Sequence, residues 1–280
     1  MSKIALAQTN SYPFADRRAE VRETIEANRA GSRALIREAA AAGADLVAFP
    51  EMFLGLLGPE KKLQVAEDLD GDLISGFREQ AADLGIMLLL GSLYERNPDD
   101  PRRVYNTSVL IGADGRLLAS YRKQMLFDID LPQVSLRESD SIAPGHRAPP
   151  VVATAIGRIG LSICFDVRFS HLYSDLRRRG AEIVFIPSNF TVPTGKAHWQ
   201  ILLQARAIEG QFYVAAPAQV GRVSRNFNAY GHSMLVDPWG RINARMESGT
   251  GLLYGEVDLD LLQRVRRELP MPQALGEIPE

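Results

Sequence analysis

Residues Val151–Phe190 read VVATAIGRIG LSICFDVRFS HLYSDLRRRG AEIVFIPSNF. Two short apolar runs, Val151–Ala155 and Arg158–Ile163, flank a turn at Gly157 and read as strands. His171–Arg179 reads as a helix stopped by Gly180, and Ile183–Ile186 returns as a strand. A strand–helix–strand unit of this kind belongs to a sheet with its helices outside. Downstream, Ala197–Glu209 reads as a helix and Phe212–Ala215 as a strand. His232–Val236, Arg241–Met246 and Leu252–Val257 read as a β-meander, and Leu259–Glu268 as a last helix broken by Pro270 and Pro272.

The first half has the same style. Ile4–Ala7 reads as a strand, and Asp16–Ala42 as a long helix with Val21, Ile25, Leu35 and Ile36 as its apolar members and Gly43 as its stop. Leu46–Phe49 is a buried strand ending at Pro50-Glu51. Asp72–Leu84 is a helix closed by Gly85, followed by the strand Ile86–Leu90. Val104–Ile111 and Arg116–Tyr121 flank Ala113-Asp114-Gly115, a hairpin turn with Asp-Gly at its tip. The expectation is an α/β fold with two sheets and helices outside. Composition shifts nowhere, so residues 1–280 read as one domain with a tail from about residue 270.

Charge and composition exclude several function classes. Thirty-two basic residues against 34 acidic ones leave a net charge of −2, which provides no electrostatic attraction to nucleic acid or an anionic membrane. A single cysteine rules out an intramolecular disulfide and fits a reducing compartment. The start, MSKIALAQTN, lacks an apolar run behind a basic end, and no stretch approaches 18 apolar residues. Cytoplasm is the expected location. Neither GxGxxG nor GxxxxGK[ST] occurs, and the four histidines have no metal-ligand spacing. Ser233, in GHSML, lacks the GxSxG elbow of a serine hydrolase.

Residues that could carry chemistry each have a plain structural reading beside the functional one. Cys164 follows an apolar strand, just where a helix begins, which exposes a nucleophile and lowers a thiol pKa. It could equally be a small core residue. Glu51, at the end of a buried strand, points into a cleft as a general base or sits in an ordinary loop. Lys123, in YRKQMLFDID, is a fixed cation for developing negative charge or a solvated lysine. Glu138, in SLRESDSIAPG, reads singly as a loop residue. Arg168 lies four positions beyond Cys164, where it faces the same pocket and holds a carboxylate, or else pairs internally with Asp166 or another carboxylate.

Taken together, FPE around Glu51, YRKQMLFDID around Lys123 and ICFDVRF around Cys164 resemble the three signature segments of the nitrilase superfamily of carbon–nitrogen hydrolases. SNFTVPTGKAHWQILLQARAIEGQFYVAAPAQVG and YGHSMLVDPWG extend the resemblance, to its Nit branch, over nearly the whole chain. It implies a four-layer α-β-β-α sandwich and a homodimer paired through His171–Arg179 and Ala197–Glu209. It also implies a Glu-Lys-Cys triad with Cys164 as nucleophile, Glu51 as proton carrier, and Lys123 with the Phe165 N–H holding the oxyanion. Glu138 falls where this branch carries a second glutamate that orients the lysine and substrate. Arg168, Phe190 and Thr194 match substrate-contacting positions.

The implied activity is hydrolysis of small-molecule amides, on amides of 2-oxo acids such as deaminated glutathione or 2-oxoglutaramate, with no cofactor and no metal. N-carbamoyl amide hydrolysis, nitrile hydrolysis and a catalytically idle interaction module stay open at this point. Met125, Ser170-His171 and Asn189 depart from the branch's usual histidine, Pro-Glu and alanine, and they bear on the substrate rather than on the triad.

Overall fold

In the first strand, β1 (Ser2–Gln8), Ile4 and Leu6 enter one hydrophobic core while Ala5 and Ala7 enter another. β2 (Leu46–Ala48) repeats the alternation, with Leu46 and Ala48 on the first side and Val47 on the second. Side chains along a strand alternate with period two, so this sheet must be covered on both faces. A computed structural model, which describes residues 1–11, 18–131, 134–224 and 227–271, identifies both covers.

Three helices accompany this half: α1 (Arg18–Ala41), α2 (Pro59–Val65) and α3 (Asp72–Leu84). Ile36 and Ala39 of α1 and Ile74, Phe77 and Ala81 of α3 pack on the outer face with Ala5, Ala7 and Val47. Asp16 and Arg17 of the expected first helix lie outside the described residues. Gly85 caps α3 at φ +62°, a left-handed conformation that glycine adopts without a β-carbon penalty. The sheet continues through β3 (Met87–Glu95), β4 (Tyr105–Ile111) and β5 (Leu117–Arg122). Strands β1, β2 and β3 are parallel, and β4 and β5 add as antiparallel hairpins. Gly115 turns the β4–β5 hairpin at φ +76°, as the Asp-Gly signal predicts.

A small hairpin, β6 (Asp128–Leu131) and β7 (Val134–Arg137), leads to the second sheet. That sheet is built from β8 (Val151–Thr154), β9 (Gly157–Leu161), β10 (Ile183–Phe185) and β11 (Tyr213–Ala216). β9, β10 and β11 are parallel, so its centre repeats that of the first sheet. Helix α4 (Ser170–Arg178), the short turn α5 (Val192–Thr194) and α6 (Gln200–Gly210) lie along the second half. The expected helix from Ala197 starts as a wider π-turn at Gly195–Trp199. Leu172 and Leu176 of α4 and Leu203 and Ala207 of α6 join a core that also holds Leu161, Phe185 and the inward residues of the first sheet. Helices, sheet, sheet and helices follow one another as four layers.

After a further hairpin, β12 (Val220–Ser224) and β13 (Phe227–Tyr230), the expected meander is divided between the sheets. β14 (Met234–Val236) and β15 (Ile242–Arg245) pair antiparallel in the second sheet. β16 (Gly251–Val257) instead crosses to the first sheet and pairs with β1, from Ser2 with Val257 to Gln8 with Gly251. Alternating apolar residues mark a strand but not its partner, and β1 would otherwise be an open edge. Gly249 and Gly251, at φ +81° and +146°, carry the chain across. The last helix, α7 (Leu259–Glu268), is capped by the Asp258 carboxylate, which accepts from the Asp260 and Leu261 N–H groups. Pro272 and the expected tail beyond it lie outside the described residues. Among the described residues no helix is long and apolar enough to cross a membrane.

Gly91 ties the first sheet to the loop that follows β2. A β-carbon there would overlap the carbonyl oxygens of Phe49 and Pro50, which belong to backbone with no room to move. Gly91→Ala is expected to lower stability by about 3 kcal/mol, at the upper end of ordinary overpacking, because backbone must shift. Urea unfolding of the two proteins measures this, and equal midpoints would contradict the tight approach.

Candidate active site

The segments just after β2, β5 and β9 each deliver one polar side chain to a common cavity. Glu51 comes first. Its backbone carbonyl and that of Met52 both accept from Gln219 Nε2, at 2.8 and 2.7 Å, and Ser11 Oγ donates to Met52 O at 3.0 Å. Gln219 comes from the second half of the chain, so this strap spans the two halves. Met52 itself stands at φ +53° with its N–H donating to Ser92 Oγ.

Lys123 directly follows β5. Its N–H donates to Asn106 O and its carbonyl accepts from Gly145 N, both at 2.8 Å. Nζ lies 2.9 Å from Glu51 Oε1 and 2.8 Å from Glu138 Oε2. Glu138 opens a single 3-10 turn, Glu138–Asp140, and its Oε2 also accepts the Phe127 N–H at 2.7 Å. Asn106 Nδ2, on β4, donates to Glu51 Oε1 at 2.9 Å and Glu138 Oε1 at 3.3 Å. Burial alone would discharge Lys123, but Glu138 and Glu51, with Cys164 beyond, hold its ammonium well above the ordinary lysine range. Burial likewise opposes the Glu138 charge, and Lys123 with its hydrogen-bond donors keeps that carboxyl below its ordinary value.

Cys164 begins a 3-10 turn, Cys164–Arg168, just beyond β9, and its N–H donates to Pro187 O at 3.0 Å. Its φ of +48° is a left-handed conformation that costs a non-glycine residue about 1–3 kcal/mol. The thiol is buried, with the Glu51 carboxylate and the Asn189 backbone among the groups that act on it. Burial first, and Glu51 second, push its pKa well above the ordinary cysteine value, against Lys123. The lowered thiol pKa expected from the sequence is therefore corrected. A five-residue 3-10 turn has little dipole, whereas the cavity wall withholds water and sets a carboxylate beside the sulfur. A thiol paired with a carboxylate can transfer its proton as it attacks.

Asp166, two positions on, anchors this turn. Its carboxylate accepts from the Ile163 N–H and Tyr121 OH at 2.9 Å and the Met125 N–H at 3.0 Å. Arg168 therefore does not pair with Asp166, the internal alternative read from the sequence. Its guanidinium lies 3.2 Å from His198 Nδ1 and 5.4 Å from the Phe165 and Phe190 rings, and no described carboxylate forms an ion pair with it.

All eight residues singled out from the sequence line one cavity of about 330 Å³: Glu51, Lys123, Glu138, Cys164, Phe165, Arg168, Phe190 and Thr194. Phe190 packs on Trp199 at 4.8 Å between ring centres, and Thr194 Oγ1 lies 2.8 Å from Thr191 Oγ1. Asn106, Gln219, Asp166 and Lys62 were not read from the sequence as site residues. Asn106 carried a signal, being an amide inside the apolar run YNTSVLI. Among the described residues no group of three His, Cys, Asp or Glu side chains could hold a metal ion.

Comparison with known proteins identifies the family. Residues 3–267 match the family described as carbon-nitrogen hydrolase. The deaminated glutathione amidase of Mus musculus is 44% identical over 243 residues, covering 85% of this chain and 75% of that one. The crystal structure of the C. elegans NitFhit protein superposes with a TM-score of 0.87 at 37% identity, over 96% of this chain and 63% of that one. The crystal structure of an amidase from Nesterenkonia sp. gives a TM-score of 0.78 at 28% identity, over 96% and 94% of the two chains.

The buried Asp166 carboxyl makes stability depend on pH. Burial, against its hydrogen-bond donors, raises its pKa from 3.8 to about 6. Between those values the unfolded chain releases a proton that the folded chain keeps, so Asp166's contribution falls as pH rises from about 4 to about 6. At about 1.4 kcal/mol per pH unit the loss is about 3 kcal/mol. Asp166→Asn abolishes this titration. The stability of wild type relative to the variant, from urea unfolding, should therefore decline by that amount from pH 4 to pH 7. A pH-independent difference would contradict the raised value.

Proposed function

The chain belongs to the carbon–nitrogen hydrolase family, and on that premise we propose that it hydrolyses amides of 2-oxo acids through a thioester on Cys164. The observation that carries this reading is the meeting of one thiol, one carboxylate and one ammonium, Cys164, Glu51 and Lys123, in the wall of a single cavity, with Lys123 paired to Glu51 at 2.9 Å.

In the proposed reaction, Glu51 takes the thiol proton while Cys164 Sγ attacks the amide carbon. The carbonyl electron pair moves to oxygen, and the Lys123 ammonium and the Phe165 N–H hold the resulting oxyanion. Each such donor contributes about 3–4 kcal/mol to the transition state. As the oxyanion collapses, the C–N bond breaks and the nitrogen takes the proton from Glu51, leaving as an amine. Glu51 then takes a proton from water as the water oxygen attacks the thioester. The second oxyanion collapses with return of the proton to sulfur, releasing the carboxylic acid. Because the resting thiol is protonated, Glu51 must carry this proton out and back. Glu138 holds the far side of Lys123, which keeps the ammonium aimed while Glu51 changes charge.

The acidic end of the substrate is assigned to Arg168. Its guanidinium lines the cavity on the nucleophile's own turn, flanked by Phe165 and Phe190 and free of any described carboxylate. An arginine so placed can grip a carboxylate with two parallel hydrogen bonds. A relative named deaminated glutathione amidase supports the same substrate class.

Two experiments test these assignments. Cys164→Ala should fold and lose at least roughly 1,000-fold in turnover, as removal of a nucleophile does. Intact-mass measurement of the wild type with a slow amide should find one acyl group added, whereas substantial activity in the folded variant would exclude the thioester. Arg168→Lys should raise KM for 2-oxo-acid amides roughly 10- to 150-fold more than for neutral short amides. Equal losses on charged and neutral amides would assign the carboxylate to another residue.

A further inference from the structure

Asn106 takes no part in the steps above, yet its amide decides how Glu51 is presented. It lies within β4 and is buried, opposite Tyr94 on β3, and its carbonyl accepts the Lys123 N–H at 2.8 Å. A side chain rooted inside a sheet has little freedom to follow a moving partner. Nδ2 donates to Glu51 Oε1 at 2.9 Å and to Glu138 Oε1 at 3.3 Å. Those contacts assign the orientation of the amide, because a reversed amide would turn its oxygen toward two carboxylates. Oδ1 is then buried with no partner among the described residues, which is costly. An apolar side chain would avoid that cost, so the donor is what this position gains from asparagine.

The oxygen that receives the donor matters. Lys123 Nζ also donates to Glu51 Oε1, at 2.9 Å. Two donors thus fill the lone pairs of Oε1, whereas among the described residues no amide or ammonium donates to Oε2. A proton on Oε1 would face both donors and displace them. A proton on Oε2 disturbs neither. The donors come from β4 and from the residue after β5, so the carboxyl cannot exchange its oxygens by rotation without losing both. Lys123 alone would be a looser hold, since its flexible chain is shared with Glu138.

We propose that Asn106 is a positioning residue that fixes the plane of the Glu51 carboxyl, so that Oε2 alone carries protons. Oε2 receives the thiol proton as sulfur attacks and passes it to the leaving nitrogen as the C–N bond breaks. It then takes a proton from water as the water oxygen attacks the thioester, and returns it to sulfur as the acid leaves. Oε1 stays bound to Lys123 and Asn106 throughout. The assignment rests on the amidase reading and names the atom of Glu51 on which that reading turns.

The test is steady-state kinetics in water and in deuterium oxide, on whichever of 2-oxoglutaramate and propionamide is turned over faster. Wild type is compared with Asn106→Leu, which fills a similar volume without a donor, and with Asn106→Ala, which serves if the first does not fold. kcat should fall roughly 100-fold, the smaller end of what general acid–base catalysis contributes, while KM stays within about threefold of wild type. The solvent isotope effect on kcat should rise, because proton transfer becomes the slow step. An unchanged kcat in a folded variant would overturn the assignment. A KM that rises in step with the fall in kcat, or an unchanged isotope effect, would make Asn106 structural and leave the amidase reading intact. A wild-type enzyme that hydrolyses neither amide would overturn both.

Discussion

Lys123 Nζ is shared between two buried carboxylates, 2.9 Å from Glu51 and 2.8 Å from Glu138, and the rest of the site is arranged around that sharing. Each charge taken from water costs several kcal/mol, and here each is tolerated because the others are present. Two carboxylates side by side would repel. The ammonium between them and the Asn106 amide, which donates to both, hold them together. Loss of one partner from a buried set of this kind typically costs about 3–5 kcal/mol, because an uncompensated charge is left behind. The same arrangement puts Glu51 in one cavity wall with the Cys164 thiol, whose pKa it helps to raise.

The fold meets this demand by ending strands at one place. Glu51, Lys123 and Cys164 lie just past β2, β5 and β9, where a chain leaving a sheet frees its side chains from the layer packing. Two of these exits are strained. Met52 and Cys164 both have positive φ although neither is glycine, and in each case neighbouring groups compel the conformation. Met52 is held by Ser92, Ser11 and Gln219, and Cys164 by Pro187 with the Asp166 network beside it. Gln219 matters because it joins the Glu51 loop to the second half of the molecule, across the boundary on which the cavity opens.

Other cations of the cavity are left without a carboxylate partner once Lys123 is satisfied. Arg168 lies between two phenylalanine rings and Lys62 against a serine hydroxyl, and no described carboxylate pairs with either. Aromatic faces attract a guanidinium without neutralising it.

Much of this was legible in the residues alone. Apolar runs, glycine stops and the Asp-Gly hairpin located most strands and helices, because local backbone preference and burial period act over a few residues. The family resemblance also pointed to eight residues that all line the cavity, five of them within the three motif segments. Sequence could not assign partners. The last strand has the alternation of a meander yet pairs with β1, because an edge left open across the molecule is closed by whichever strand reaches it. Asn106, Gln219, Asp166 and Lys62 escaped notice for a related reason, since each is an ordinary polar residue until the fold buries it against a charge. The thiol's raised pKa is of the same kind. The sequence by itself determined an α/β fold of two sheets with helices outside, because local pattern sets it, and its resemblance to a known family pointed to the candidate reactive groups. Only the tertiary structure decided their protonation and their company, because desolvation and Coulomb interactions depend on distances between residues far apart in the chain.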